Sequence, residues 1–122
     1  MASILLRKKI PLSSVIQTDT FILLRIEPVY EYIDGKRTDN LEGYRYEVVD
    51  TINFDRLRVK IKGQSAPLMS DEELQERRED GQKILVEFVN GTVMPYWNPN
   101  TKSVEDSFSA DGIQLLETDG LN

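Results

Sequence analysis

The sequence predicts a small, mainly β protein that contains one short helix. Three local patterns support this prediction: apolar and charged residues alternate strictly over 56–62, an Asn90–Gly91 pair separates two β-rich runs, and the segment after Ser70 has the pattern of a helix start. A chain of 122 residues is long enough for one hydrophobic core of modest size. We therefore expect a single domain.

The expected domain covers residues 20–117, and residues 118–122 are expected to form a frayed tail. Residues 1–19 contain two short apolar patches separated by three cations and Pro11. This pattern fits an arm, a short helix or an edge strand equally well. We therefore describe the segment only as an N-terminal arm or edge segment.

The first long strand is predicted at FILLRIEPVYEYI, residues 21–33, which is rich in β-branched and aromatic residues. Pro28 lies in its middle and lacks a ladder hydrogen bond, which indicates an edge, a bulge or a bend. The following DGKRTDNLEG has turn chemistry, with Asp34–Gly35 as its strongest signal. The segment YRYEVVD then resumes strand character, and together these segments predict a hairpin with a long loop.

The third strand is predicted at RLRVKIK, residues 56–62. Leu57, Val59 and Ile61 should point to one side and the intervening cations to the other. This pattern predicts a half-buried strand with a basic outer face, ended by Gly63.

The helix is predicted over about 71–80. Ser70 and Glu73 fit a capping box, acidic residues occupy the first turn, and Gly81 suits the end. Because Leu74 is nearly the only apolar residue, the helix should plug one end of the core rather than form a packing layer.

The segments KILVEFV and TVMPYW are predicted to form a hairpin around a type I′ turn at Asn90–Gly91. Pro95 suggests an edge or a bend in the second segment, and Trp97 is assigned to the core. A last β-like piece is expected around Phe108 and over 113–116.

The predicted order is three strands, one helix and two strands, with a sixth piece afterwards. This order predicts a small OB-like barrel of five to six strands with the helix between strands three and four. Barrels of this kind bind oligonucleotides on the face of strands two and three and on adjoining loops. Another small β-barrel or sandwich with an incidental helix remains an alternative.

Composition narrows the functional classes. The chain contains no Cys and no His, which removes thiol nucleophiles, imidazole bases, disulfides and the usual zinc ligands. No phosphate-binding loop, nucleophile elbow or metal-ligand spacing is recognisable. We expect a protein that is not an enzyme and that holds no cofactor or metal.

The sequence also predicts the location of the protein. No apolar run approaches the ~20 residues of a membrane span, and the N-terminal charge order is not that of a secretory signal. We therefore expect a cytoplasmic protein without a membrane partner.

Charge is distributed unevenly along the chain. Residues 1–62 contain eleven Lys or Arg against nine Asp or Glu, whereas residues 63–122 contain four against twelve. We expect these acids to lie away from the basic strand. They either solubilise the protein, compete with nucleic acid for the basic face, or dock a basic partner. The candidate partner-binding residues are Glu105, Asp106 and Asp111.

Cations that follow phosphates and aromatic rings that stack on bases are typical of single-strand binding. The alternative is that an exposed strand face is simply polar and resists edge aggregation. The second strand presents either Tyr44 and Tyr46 or Arg45 and Glu47 beside the cations. The candidate nucleic-acid-binding residues are Lys36, Arg37, Arg45, Arg56, Arg58, Lys60 and Lys62. The base-stacking candidates are Tyr32, Tyr44, Tyr46 and Tyr96.

The segment VYEYIDGKRTDNLEGYRYEVVDTINFDRLRVKIKG resembles the YdcP-like helicase-processivity family of Gram-positive integrative conjugative elements. The resemblance is carried by DGKRT, GYRYEVVD and RLRVKIKG and covers approximately residues 20–97. It implies a non-catalytic accessory that helps a host helicase unwind element DNA through contact with single strands, the helicase or both. It assigns no individual residue a role.

A different function also fits the sequence: a protein-binding module, including an inhibitor of a basic host enzyme that acts through the acidic half. A structural virion component is a third interpretation. Self-association and the preference for single or double strands are left open.

Overall fold

The computed structural model describes residues 4–116, and the predicted tail at 118–122 lies outside these described residues. The mainly β class with one short helix is confirmed. The elements, in chain order, are β1 (Ile10–Pro11), a 3₁₀ helix (Leu12–Ser14), β2 (Phe21–Ile33), β3 (Lys36–Asp50), β4 (Arg56–Lys62), α1 (Asp71–Glu79), β5 (Leu85–Val89), β6 (Thr92–Asn98), β7 (Ser103–Ser109) and β8 (Gly112–Leu115). Among the described residues, no helix has the length and apolar character needed to cross a bilayer.

All eight strands belong to one mixed sheet, in the order β1-β6-β7-β4-β3-β2-β5-β8. The β4–β7 pair is parallel and the other pairs are antiparallel. The predicted OB-like barrel of five to six strands is not confirmed, because the sheet has eight strands and this order is not closed. The difference arises mainly beyond β4. The predicted hairpin around Asn90–Gly91 is wrong, because β5 and β6 do not pair with each other; β6 instead forms a hairpin with β7, and β1 adds to its outer edge.

The sheet is strongly curved, because two consecutive residues reach strands that are far apart in its order. The Ala110 N–H donates to the Lys60 carbonyl oxygen in β4 at 3.1 Å, and the Asp111 N–H donates to the Val89 carbonyl oxygen at the end of β5 at 2.8 Å. Two strands, β3 and β2, separate β4 from β5 in the sheet. The short connection between β7 and β8 therefore bridges the two sides of the curved sheet.

The core lies on the concave side of this sheet. The predicted inward residues of β4 are buried, and Leu74 of α1 is fully buried in the same core cluster. The helix prediction is confirmed, since Ser70 Oγ accepts the Glu73 N–H at 3.0 Å and the helix ends one residue before the predicted bound. Leu12 adds a further buried side chain from the 3₁₀ helix.

Helix α1 is attached to an irregularity in β2. The register shifts between Leu23 and Arg25, so the backbone of Leu24 and Ile26 is available to the helix. Asp71 Oδ1 accepts the Ile26 N–H at 2.8 Å. Gln75 Nε2 and Arg78 Nη1 both donate to the Leu24 carbonyl oxygen. These bonds fix the bend of β2 against the helix.

The predicted long loop between β2 and β3 is a strand pair instead. Only Asp34–Gly35 form the turn, with φ of 52° and 77°, and pairing resumes at Lys36. Thr38 Oγ1 donates to the Glu31 carbonyl oxygen at 2.7 Å and stabilises the irregular part of the hairpin. The result is a protruding β2–β3 arm, which we define as residues 30–41.

The N-terminal segment packs on the sheet. Ile10 and Pro11 pair with β6, so the edge-strand alternative applies there, and a 3₁₀ helix follows. The Leu12 N–H also donates to the Gly91 carbonyl oxygen at 2.8 Å.

Candidate nucleic-acid interface

The convex side of β2, β3 and β4 carries rows of charged side chains. Residues paired across neighbouring strands share a face of the sheet. One row contains Arg25, Glu47 and Arg58, and the next contains Glu27, Arg45 and Lys60. We define the basic face as the cations Arg25, Arg45, Arg56, Arg58, Lys60 and Lys62 together with the carboxylates Glu27, Glu42 and Glu47.

The structure selects one of the two predicted orientations of β3. Arg45 and Glu47 point outward, whereas Tyr44 and Tyr46 lie on the core side opposite Ile61 and Val59. Tyr44 is only partly buried but packs against the core.

Tyr46 is fully buried, so its prediction as a base-stacking residue is wrong. Its hydroxyl donates to Gln64 Oε1 at 2.9 Å and accepts the Leu68 N–H at 3.0 Å. Burial raises the pKa of Tyr46 above its ordinary value, although both hydrogen bonds act in the opposite direction. Tyr46 is a structural residue that anchors the segment before α1.

Each of the four β4 cations lies near a carboxylate of β3. Glu47 Oε1 is 3.3 Å from Arg58 Nε, and its other oxygen is 3.9 Å from Arg56 Nη1. Glu42 Oε1 is 2.5 Å from Lys60 Nζ and 3.9 Å from Lys62 Nζ. No acid within residues 63–116 forms an ion pair with these cations, as expected for that half of the chain, but two glutamates from the first half partly neutralise the strand.

The pairing is incomplete, and the basic face keeps an excess of positive charge. It has six cations and three carboxylates. The side chains of Arg56, Arg58 and Lys62 are 65–75% exposed. Ion pairs this exposed contribute about 0–1 kcal/mol, so a phosphate can replace the carboxylate at little cost.

Glu42 shows the local effect of these cations. The hydrogen bond from Lys60 holds the pKa of Glu42 below its ordinary value, burial opposes this, and the charges of Lys60, Lys62 and Arg45 add to the lowering. Glu42 is thus ionised at neutral pH.

The arm candidates are not brought together with the basic face. Lys36 lies seven residues before Gly43, the partner of Lys62, and this length of strand spans about 23 Å. The Arg37 guanidinium lies 4.1 Å from the centre of the Tyr30 ring. The arm contains three acids against these two cations, and its Tyr32 is 66% exposed.

The acidic candidates lie on or beside the β6–β7 hairpin. Glu105 is half-buried and accepts hydrogen bonds from Asn98 Nδ2 and Thr101 Oγ1, both at 2.6 Å, so it organises the hairpin turn. Asp111 accepts a hydrogen bond from Asn90 Nδ2 at 3.0 Å. Asp106 is exposed.

Tyr96 and Trp97 also lie in this hairpin. Tyr96 is partly buried opposite Glu105. The assignment of Trp97 to the core is wrong, because the hairpin extends past the core and leaves Trp97 and its partner Val104 each 51% exposed.

The sequence predicts a short turn near Asn53 between β3 and β4, but sequence reasoning missed the role of Asp50 in it. The Asp50 side chain is buried, and its carboxylate accepts the backbone N–H groups of residues 52–55 at 2.5–3.2 Å. Burial would raise the pKa of Asp50, but these hydrogen bonds outweigh it and hold the pKa below its ordinary value. An aspartate at a strand end, with Asn53 three residues later, was the available turn signal.

An open cleft of about 640 Å³ lies on another part of the molecule, between the 3₁₀ helix and the β5–β6 turn. Leu12, Ile16, Phe21 and Phe88 form its apolar walls, and the basic face does not contribute to it. Within residues 4–116, no three carboxylates lie close enough together to hold a metal ion.

Comparison of the chain with family models, curated proteins and solved structures found no match.

Proposed function

We propose that this protein is a non-catalytic accessory of mobile-element DNA replication or transfer, that it binds single-stranded DNA on the basic face, and that a host helicase is its protein partner. The observation that carries the proposal is the row of four cations on β4. Alternate residues of a strand lie about 6.6–6.8 Å apart, so the row forms a regular track of positive charge. Such a track attracts a polyanion although the whole chain carries a net charge of −6.

The strand pairing supports an OB-like arrangement with additions. β2, β3 and β4 form a meander, α1 follows β4, and β5 pairs with β2. If β7 and β8 are counted as one strand bent at Ala110–Asp111, that strand pairs with both β4 and β5. The basic face then corresponds to strands two and three, where such barrels bind oligonucleotides.

The shape of the face favours a single strand over a duplex. The major groove of B-DNA is about 12 Å wide and admits a helix or a two-stranded ribbon. Here the charged surface spans three strands spaced about 4.8 Å apart, which is too broad for a groove once side chains are added. A single strand can lie along β4 without that restriction.

Fluorescence anisotropy with a labelled 20-nucleotide oligo(dT) at about 50 and 200 mM salt tests this proposal. If three to four phosphates are neutralised, the logarithm of the affinity should fall with the logarithm of salt with a slope of about −2 to −3. A duplex of equal length should bind more weakly. Absence of binding at low salt, or binding that salt does not change, contradicts the proposal.

A protein-binding module is the second candidate function, and the β6–β7 hairpin favours it. Trp97 and Val104 are paired, and Asp106 lies on the same face of the hairpin two residues along. An exposed tryptophan beside an aliphatic residue and a carboxylate is typical of a protein contact with a basic partner. Gel filtration with a purified host replicative helicase should give a complex that Trp97→Ala weakens and that Arg58→Glu leaves intact.

A further inference from the structure

The β3–β4 loop is rigid because it is built around one buried carboxylate. Four successive backbone N–H groups converge on Asp50, and the Asp50 N–H donates to the Asp55 carbonyl oxygen at 2.9 Å. These bonds fix the backbone of the whole loop. Its side chains at Ile52 and Phe54 are nevertheless 50% and 70% exposed.

Phe54 has a backbone conformation that phenylalanine rarely adopts. Its φ is 60°, which lies in the left-handed region. Glycine, asparagine and aspartate adopt this region readily, whereas a bulky residue is strained there. Among the other described non-glycine residues with positive φ, Asp34 and Asn90 are types that tolerate it, whereas Arg7 and Lys102 are not. Because the Phe54 ring is mostly exposed, burial in the core does not explain why phenylalanine occupies this position.

The position of the loop connects this ring to the basic face. Phe54 lies two residues before Arg56, so the row of β4 cations ends beside an exposed aromatic residue held in a fixed conformation. The other aromatic candidates are less well placed: Tyr46 is buried, Tyr44 packs on the core, Tyr32 lies on the acidic arm, and Tyr96 is partly buried in the β6–β7 hairpin.

We propose that Phe54 is a base-stacking residue, on which a base of a single strand stacks when its phosphates follow the β4 cations. The inference rests on the proposed function. It adds a contact with the bases, which the cations do not recognise because they bind phosphates. Every base presents a π face, so the contact tolerates any sequence. The backbone strain at Phe54 is consistent with a binding role, since strained residues often occur at functional sites.

The experiment compares oligo(dT) with an abasic oligonucleotide of the same number of phosphates. Phe54→Ala should bind oligo(dT) about tenfold more weakly than the unaltered protein and should bind the abasic strand equally well. The slope of affinity against salt should not change, because no phosphate contact is lost. Phe54→Trp should retain the affinity. Ile52→Ala, which removes the other exposed apolar side chain of the same loop, is the matched control and should bind both strands normally.

A second variant separates stacking from folding. Phe54→Gly removes the ring and relieves the left-handed backbone, so its Tm should rise by about 4 °C while its oligo(dT) affinity falls as in Phe54→Ala. Normal oligo(dT) binding by both variants overturns the inference but leaves the proposed function intact. An equal loss on the abasic strand also overturns it. If the unaltered protein binds no oligonucleotide, the proposed function and the inference both fail.

Discussion

The basic face and the β6–β7 hairpin expose side chains of opposite character. On the basic face every β4 side chain is a cation near a carboxylate, whereas the exposed pair on the hairpin is Trp97 and Val104. Since β4 pairs with β7 through Val59 and Phe108, both core-side residues, the two surfaces lie on opposite sides of one sheet. The proposed nucleic-acid surface and the exposed apolar pair therefore lie on opposite faces of the sheet.

The net charge of a chain also does not predict the charge of a local surface. Within the described part of the acidic half, residues 63–116, no carboxylate forms an ion pair with a cation of the basic face. The carboxylates that form these ion pairs come from β2 and β3, where they alternate with the cations across the strands. The basic face is therefore partly neutralised, and the proposed binding of nucleic acid requires a phosphate to displace Glu42 or Glu47.

The largest expected effect follows from reversing two central cations. Arg58→Glu combined with Lys60→Glu places two more carboxylates beside Glu47 and Glu42, so we expect oligo(dT) affinity at 50 mM salt to fall about a hundredfold or more. Anisotropy measures the change. Trp97→Ala on the hairpin is the control and should bind normally; if it loses affinity as strongly as the double variant, the two surfaces do not have separate roles.

The second prediction concerns the loop that ends the basic face. Asp50→Asn removes the charge that four N–H groups bind, so we expect the free energy of unfolding to fall by about 2–3 kcal/mol in urea titrations. Asp39→Asn, at an exposed position of the same strand, should change it by less than about 0.5 kcal/mol. Similar stability of the two variants would show that the Asp50 hydrogen bonds do not hold the loop.

Local signals predicted the elements that local chemistry determines. Helix α1 begins where the Ser70 cap and the following acids place it, and β4 has the inward and outward residues that its alternation gives. The orientation of β3 was also accessible: Tyr44, Tyr46 and Val48 alternate with Arg45 and Glu47, which already places the tyrosines on the core side.

Features that depend on distant contacts could not be predicted. The cross-strand partner of Arg58 depends on the length and shape of the β3–β4 loop, which the buried Asp50 determines. The exposure of Trp97 depends on how far the β6–β7 hairpin extends past the core. The loop predicted between β2 and β3 became strand because Asp34–Gly35 alone makes the turn, which leaves the polar residues after it free to pair.

The third prediction tests whether carboxylates restrain binding. Glu47→Gln removes a charge between Arg56 and Arg58, so we expect oligo(dT) affinity to increase about three- to fivefold and the salt slope to steepen. Asp106→Asn removes one charge from the other side of the sheet and is the matched control. If both variants gain affinity equally, the effect comes from net charge rather than from competition for the two arginines.

The smallest expected effect is a pH dependence of stability that belongs to the Glu42–Lys60 pair. Because the pKa of Glu42 is lowered in the folded state, the pair stabilises the protein above the ordinary glutamate pKa of about 4.3 and loses this effect as the pH falls through the lowered value. Both side chains are 28% exposed, so screening by solvent limits the contribution to less than about 1 kcal/mol.

Urea titrations at pH 6 and pH 3 should show a slightly smaller acid-induced loss of stability for Glu42→Gln than for the unaltered protein. Asp50→Asn should reduce that loss more, since the pKa of Asp50 is lowered by four backbone hydrogen bonds at a buried position. If Glu42→Gln loses as much stability in acid as the unaltered protein, the ion pair does not hold Lys60. Lys60 is then as available to bind a phosphate as the more exposed cations beside it.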